Sequence, residues 1–231
     1  MIFFEFKTSA NTKVIGRRFP QISDISDANN YDRDAPNSIF KANLWGEVSF
    51  DLNIPSFILH GHAKRTDLVS NGGFHSHFML FSKRLKELIE TFNLPRTQTF
   101  ATKVLARKSE YEYFIFYLPA INYELIDFEQ STFCLADWRR RKKVKQIGIN
   151  NLGEFQGWVK KYPYLVKWNP TGLNVVVEKL VFNAKKNPFD MFRFLGPVNG
   201  YFVSERLKDA IEEAGCTGME FVPIEEIKNV I

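Results

Sequence analysis

One short helix is written twice in this chain. Residues 82–90 read SKRLKELIE and residues 204–212 read SERLKDAIE. Six of the nine positions are identical, and the changes are mild: Lys83 against Glu205, Glu87 against Asp209, Leu88 against Ala210. Each copy follows an apolar run, FMLF or YFV. In the first copy Leu85, Leu88, Ile89 and Phe92 recur at helical spacing and make one apolar face. Leu207, Ala210, Ile211 and Ala214 make the same stripe in the second. Ser82 and Ser204 stand where an N-cap hydroxyl accepts from a free backbone N–H. Asn93 and Pro95 stop the first helix, and Gly215 gives the second a left-handed stop. Each copy thus reads as strand, serine cap, short helix, turn, strand. If the flanking strands run parallel in one sheet, the crossover is right-handed. The motif holds nothing reactive. Ser82, Leu85, Ser204, Leu207, Gly215 and Gly218 are expected to be structural, and the outward Arg, Lys and Glu form a solvated face with i,i+3 and i,i+4 pairing.

The remaining texture is mostly strand. MIFFEFKTS, FILH, NVVVEKLVF, MFRF, YLVKW and MEFV read as strands, and TQTFATKVLA with YEYFIFYL as a hairpin across RKSE. The second hairpin strand is apolar on both faces except at Glu112, which predicts a central position. Residues 22–38, ISDISDANNYDRDAPNS, read as a long polar loop whose aspartates fit no calcium motif. PIEEIKNVI suggests a final helical turn. The expectation is an α+β fold with mixed, mainly antiparallel sheets, few short helices and two similar strand-helix-strand units. Residues 1–231 are expected to form a single compact unit, with an N-terminal lobe at 1–125 and a C-terminal lobe at 126–231. The 23 phenylalanines supply a large core.

Exclusions come next. No window holds the ~18 apolar residues of a membrane span. Cys134 and Cys216 match no CxxC spacing and suggest free thiols in a reducing compartment, hence the cytoplasm. No GxSxG, GxGxxG or GxxxxGK[ST] occurs, and no cofactor is expected. A formal charge of +5 is modest for a nucleic-acid binder of this size.

Two constellations stand out. All four histidines fall within eighteen residues, as His60/His62 and His75/His77. Residues two apart on a strand face one way, so each pair is able to offer two nitrogens to a metal. The alternative is a polar loop, because the companion ligands of the known histidine motifs are missing. The stretch DWRRRKKVKQ holds Trp138, Arg139, Arg140, Arg141, Lys142, Lys143 and Lys145. It reads as a solvated edge strand, a protein-binding patch or, least of all, a nucleic-acid arm.

The C-terminal run GYFVSERLKDAIEEAGCTGMEFVP resembles the closing segment of a large family of immunity proteins from bacterial polymorphic-toxin systems. The matching residues are Ser204, Glu205, Arg206, Leu207, Lys208, Ala210, Ile211, Glu212, Ala214, Gly215, Thr217, Gly218 and Phe221. YEYFIFYLPAINYELIDFEQSTF, with Asp127 and Ser131, resembles the family's central block. NPFDMFRF and FSKRLKELIE resemble a strand and the earlier helix. The resemblance spans residues 78–231. It implies a non-enzymatic protein that binds a cognate toxin in the producing cell, through variable surface rather than the motif itself. Trp138 and Arg139 to Lys143 are the expected contacts for an acidic toxin face, with the loop 22–38 as a second candidate.

Overall fold

The computed structural model describes residues 2–26, 31–42, 46–71, 78–163, 171–183 and 185–224. Among these, in chain order, lie β1 (Phe3–Thr8), α1 (Thr12–Ile15), β2 (Ile22–Ile25), β3 (Phe57–Leu59), β4 (Leu68–Val69), β5 (Phe78–Ser82), α2 (Lys83–Ile89), β6 (Gln98–Ala106) and β7 (Ser109–Tyr117). Then follow β8 (Thr132–Asp137), β9 (Lys142–Ile147), α3 (Leu152–Lys161), β10 (Leu173–Lys179), β11 (Met191–Phe194), β12 (Gly200–Ser204), α4 (Glu205–Glu213) and β13 (Met219–Pro223). The thirteen strands form three sheets ordered β11-β12-β1-β13, β10-β8-β9 and β2-β3-β6-β7-β5-β4. All pairings are antiparallel except β3 with β6, so the fold is α+β with mainly antiparallel sheets.

The doubled peptide marks a doubled unit. In one unit the hairpin β4–β5 runs into α2, and β6 returns on the far side of β7. In the other, the hairpin β11–β12 runs into α4, and β13 returns on the far side of β1. The sheet orders β4-β5-β7-β6 and β11-β12-β1-β13 therefore correspond, strand for strand. The central strand comes from different places: β7 follows β6 directly, whereas β1 comes from the start of the chain. Both β5/β6 and β12/β13 are antiparallel to that central strand and so parallel to each other.

Each serine cap is held by an aspartate at the head of its hairpin. The Ser82 hydroxyl accepts from Leu85 N–H at 3.2 Å and donates to Asp67 at 2.7 Å. Ser204 accepts from Leu207 N–H at 3.2 Å and donates to Asp190 at 2.7 Å. Arg84 grips Asp67 through Nε and Nη2, and Arg206 grips Asp190 in the same way. The clasps then cross over. Asp67 accepts from Thr217 N–H at 2.8 Å, in the turn after α4, and Asp190 accepts from Asn93 N–H at 3.0 Å, in the turn after α2. Arg84 also donates to the carbonyls of Ala214 and Gly215, capping the negative end of α4. Burial works to raise both carboxyls. Hydrogen bonds from the arginine, the serine and the partner turn outweigh it and hold both below the usual carboxylate range.

Gly215 and Gly218 shape the turn that meets Asp67. Gly215 (φ 64°) ends α4 with its N–H on Glu212 O and the N–H of Cys216 on Ile211 O, a Schellman stop. Gly218 (φ 98°) lies so close to the other unit that a Cβ would sit 2.1 Å from Leu68 O. No side chain fits there.

Runs that are apolar on both faces have a simple cause: two of the sheets bury both faces. On β11 and β12, Phe192, Phe194 and Phe202 enter one core, while Met191 and Val203 enter another. The first core is aromatic and lies between the four-stranded and three-stranded sheets, with Phe3, Phe133, Phe155 and Phe182 in it. The second joins the two units: Phe6, Phe81, Leu85, Ile89, Phe116, Leu207 and Ile211 are all at or near zero exposure. The opposite face of the six-stranded sheet, with Leu80, Tyr113, Ile115 and Tyr117, packs under Ile39, Val48 and neighbouring residues.

Two expectations change. The segment 22–38 is not wholly a loop, because β2 pairs with β3 and buries Ile22 and Ile25. The helix α3 interrupts what read as a strand-rich region. The strand expected at YLVKW and the helical turn expected after Ile224 lie outside the described residues.

Candidate partner-binding surface

The basic stretch forms the tip and outer strand of the hairpin β8–β9. Asp137 builds the tip. Its Oδ1 accepts from the N–H groups of Arg139 (2.9 Å) and Arg140 (3.0 Å), a local turn that Asp makes readily. Trp138 N–H donates to Gly172 O at 3.2 Å, which ties the tip to the start of β10. Arg141 closes the loop in the left-handed region, φ 50°. Trp138 is therefore held by its backbone while its side chain remains 51% exposed, with the Arg139 guanidinium 5.4 Å from its ring.

β9 is the edge of its sheet, and Lys142 to Gln146 are exposed. A bulge opposite Leu135 and Ala136 leaves Val144 unpaired and 52% exposed. A bulge and a row of lysines are standard protection for a free edge. Only part of the charge is neutralised. Arg140 reaches Asp137 at 3.7 Å and Lys143 reaches Glu178 at 2.6 Å. Among the described residues, Arg139, Arg141, Lys142 and Lys145 form no ion pair.

Beyond the tip the strip continues onto α3. Asn151 caps that helix by accepting from Glu154 N–H, while Glu154 accepts from Asn150 N–H at 2.8 Å. Phe155 plugs it into the aromatic core against Tyr123, Phe128 and Phe133. Trp158 and Tyr162 stack at 5.7 Å, half-buried, and pack against the edge of the aromatic core. Lys145 lies 5.7 Å and Lys161 5.9 Å from the Trp158 ring. The result is a run of aromatics, a residue type enriched in protein interfaces, set among lysines and arginines of the kind that line a polar rim. Sequence reasoning took in the hairpin but missed the α3 half. Asn151 with Glu154 was the available signal.

Other residues singled out earlier have other placements. His60 is half-buried at the end of β3, and its Nδ1 accepts from His62 N–H at 3.3 Å. His75 and His77 lie outside the described residues. Among the described residues no group of three or more His, Cys, Asp or Glu converges to hold a metal. Asp127 and Ser131 are both tied to Val181: Asp127 N–H donates to its carbonyl, and Ser131 Oγ accepts from its N–H at 3.0 Å. They pin the loop before β8. Burial, with the Glu178 charge adding to it, pushes the Cys134 thiol up to about 11, so it is no nucleophile at neutral pH. No helix among the described residues is long and apolar enough to cross a membrane.

A search of curated proteins finds no match. Comparison with known families matches residues 2–226 to an immunity protein family, Imm11, which extends the likeness over residues 2–77 that the motifs alone left unmatched. With a rigid, internally satisfied repeat and nearly the whole length covered, the chain belongs to the Imm11 immunity protein family, whose members are generally non-enzymatic.

Proposed function

We propose that this protein neutralises a cognate toxin in the cytoplasm of the producing cell by binding it through the β8–β9 tip and the adjoining face of α3. The toxin surface it meets is acidic. The supporting observation is Trp138: half exposed, backbone-locked, and beside Arg139, which like Arg141, Lys142 and Lys145 forms no ion pair among the described residues. Such an aromatic loses little entropy on binding, and the surrounding charge speeds encounter. The motif residues Ser82, Leu85, Ser204, Leu207, Gly215 and Gly218 act from within, by holding the scaffold. The chain works as one unit, since β1 is the central strand of a sheet otherwise built from residues 191–223.

The test is co-expression with the toxin domain encoded beside it, scored by growth, together with the affinity of the purified pair. Wild type rescues growth. Trp138→Ala weakens the complex by about 30-fold or more, the cost of losing a central aromatic anchor. R139E/R141E slows association and flattens its salt dependence. Full affinity in both variants would refute this placement of the surface.

A further inference from the structure

A second basic surface lies away from the hairpin tip. β3 pairs with β6 over two residues only, Phe57 with Val104 and Ile58 with Leu105. Beyond them the strands part and leave a cleft of about 580 Å³, lined by Leu59, His60, Arg65, Arg107, Lys108 and Tyr111 among others. No lining residue is acidic. The nearest carboxylate along β7, Glu110, is engaged by Lys103 at 2.5 Å. Among the described residues Arg65, Arg107 and Lys108 make no ion pair.

Two features show that the charge is placed. The Arg65 guanidinium lies 4.0 Å from the centroid of the Tyr111 ring, a contact that holds an exposed cation at the rim of the cleft. Arg107 sits at the tip of the β6–β7 hairpin at φ 57°, where Gly, Asn or Asp is the low-strain choice. The two non-glycine residues with positive φ among those described are Arg107 and Arg141, one at each basic tip. An arginine thus stands in a strained position, beside Lys108, on a cleft whose lining carries no acid.

We propose that this cleft is a second docking site, one that receives a carboxylate-bearing loop of a protein partner. The proposal rests on the reading that the chain works by binding a protein. The cleft is open, with a floor of buried and half-buried side chains such as Leu59 and Tyr111 and exposed cations on its rim, and the N-terminus of α1, α2, α3 or α4 contributes nothing to its lining. A flexible loop carrying several Glu or Asp fits that shape better than a caged phosphate, which would call for converging backbone N–H groups.

The full-length protein is titrated against a fluorescein-labelled octaglutamate peptide, and separately against a labelled single-stranded DNA octamer, by anisotropy at 50 and 150 mM salt. The peptide is expected to bind more tightly than the DNA. R65Q/R107Q/K108Q, all at exposed positions, should weaken peptide binding about tenfold, three exposed charge contacts being lost together. The hairpin variant R139Q/R141Q/K142Q, titrated in parallel, reports on the other surface. Unchanged peptide affinity in the cleft variant overturns the second site, and so does tighter DNA binding that the cleft variant abolishes. Failure of wild type to rescue growth from its toxin overturns the functional reading instead, so the two failures are separable.

Discussion

Removing Asp190 tests whether the doubled helix is held by its aspartate clasp. The carboxylate is 3% exposed and takes hydrogen bonds from Ser204 Oγ, Asn93 N–H and the Arg206 guanidinium. In Asp190→Ala the Ser204 hydroxyl and the Asn93 N–H lose their acceptor in a place where water has little access. Each such loss costs about 1–1.5 kcal/mol. The Arg206 side chain is 70% exposed, so water replaces its partner and it adds nothing to the sum. The total is about 2–3 kcal/mol. For a chain of this length that lowers Tm by roughly 4–12 °C and the urea midpoint by roughly 0.7–1.5 M. Asp190→Asn falls nearly as far, because its NH2 brings a donor to a site already filled with donors. The control is Asp209→Ala on the exposed face of α4, where the carboxylate meets only Lys208 and the change stays within about 0.5 kcal/mol. Urea unfolding of the three variants side by side decides the matter. An Asp190→Ala midpoint indistinguishable from that of Asp209→Ala would show that the hairpin and cap stand without the clasp.

Two further predictions separate strain from space and charge from neutrality. Gly218→Ala is expected to cost more than about 2 kcal/mol, since positive φ combines with a Cβ that would press on the immovable Leu68 carbonyl; Gly215→Ala, with open space around its Cβ, costs about 1 kcal/mol, and equal Tm shifts would refute the close-approach argument. The depressed Asp67 and Asp190 carboxyls contribute stability that is fully present above the unfolded value of about 3.9 and is lost as pH falls through their folded values; Tm of wild type should therefore drop more steeply below pH 4 than Tm of Asp190→Ala, and parallel acid limbs would contradict this.

What could be read in advance followed periodicity and local chemistry. The doubled helices were visible because a serine cap and an apolar stripe are local signals. The β6–β7 hairpin was visible because two strand-like runs flank the polar RKSE, although the turn takes only Arg107 and Lys108 and β7 begins already at Ser109. The clasp was not, although its signal stands in the sequence: Asp followed by two apolar residues, at Asp67 and Asp190, fifteen and fourteen residues ahead of each serine. Nothing local says that such an aspartate returns to the cap. That requires the register Leu68 to Phe81 and Met191 to Val203. β2 escaped for a different reason. Its two core isoleucines are three apart, which breaks the strand period, and a register shift between Ile22 and Asp24 brings both to the same side. α3 holds two glycines, which masked a stripe of Leu152, Phe155, Val159 and Tyr162 that packs on the aromatic core beneath a good cap. At the surface the contiguous run from Arg139 to Lys145 was plain. The cleft was not, because Arg65, Arg107 and Tyr111 meet only after folding.

The internal use of the repeat bears on the proposed placement of binding. In each copy the serine, the arginine and the first leucine are spent on the clasp, the cap and the shared core. The two clasps lock each unit to the turn that follows the other unit's helix, and β1 closes the second unit with strand from the opposite end of the chain. Loosening one therefore loosens both. A binding protein built this way places its contacts at projecting ends, on loops whose backbones the scaffold has already fixed, and so loses little conformational freedom on association. Trp138 at one hairpin tip and the Arg107–Lys108 pair at another meet that requirement.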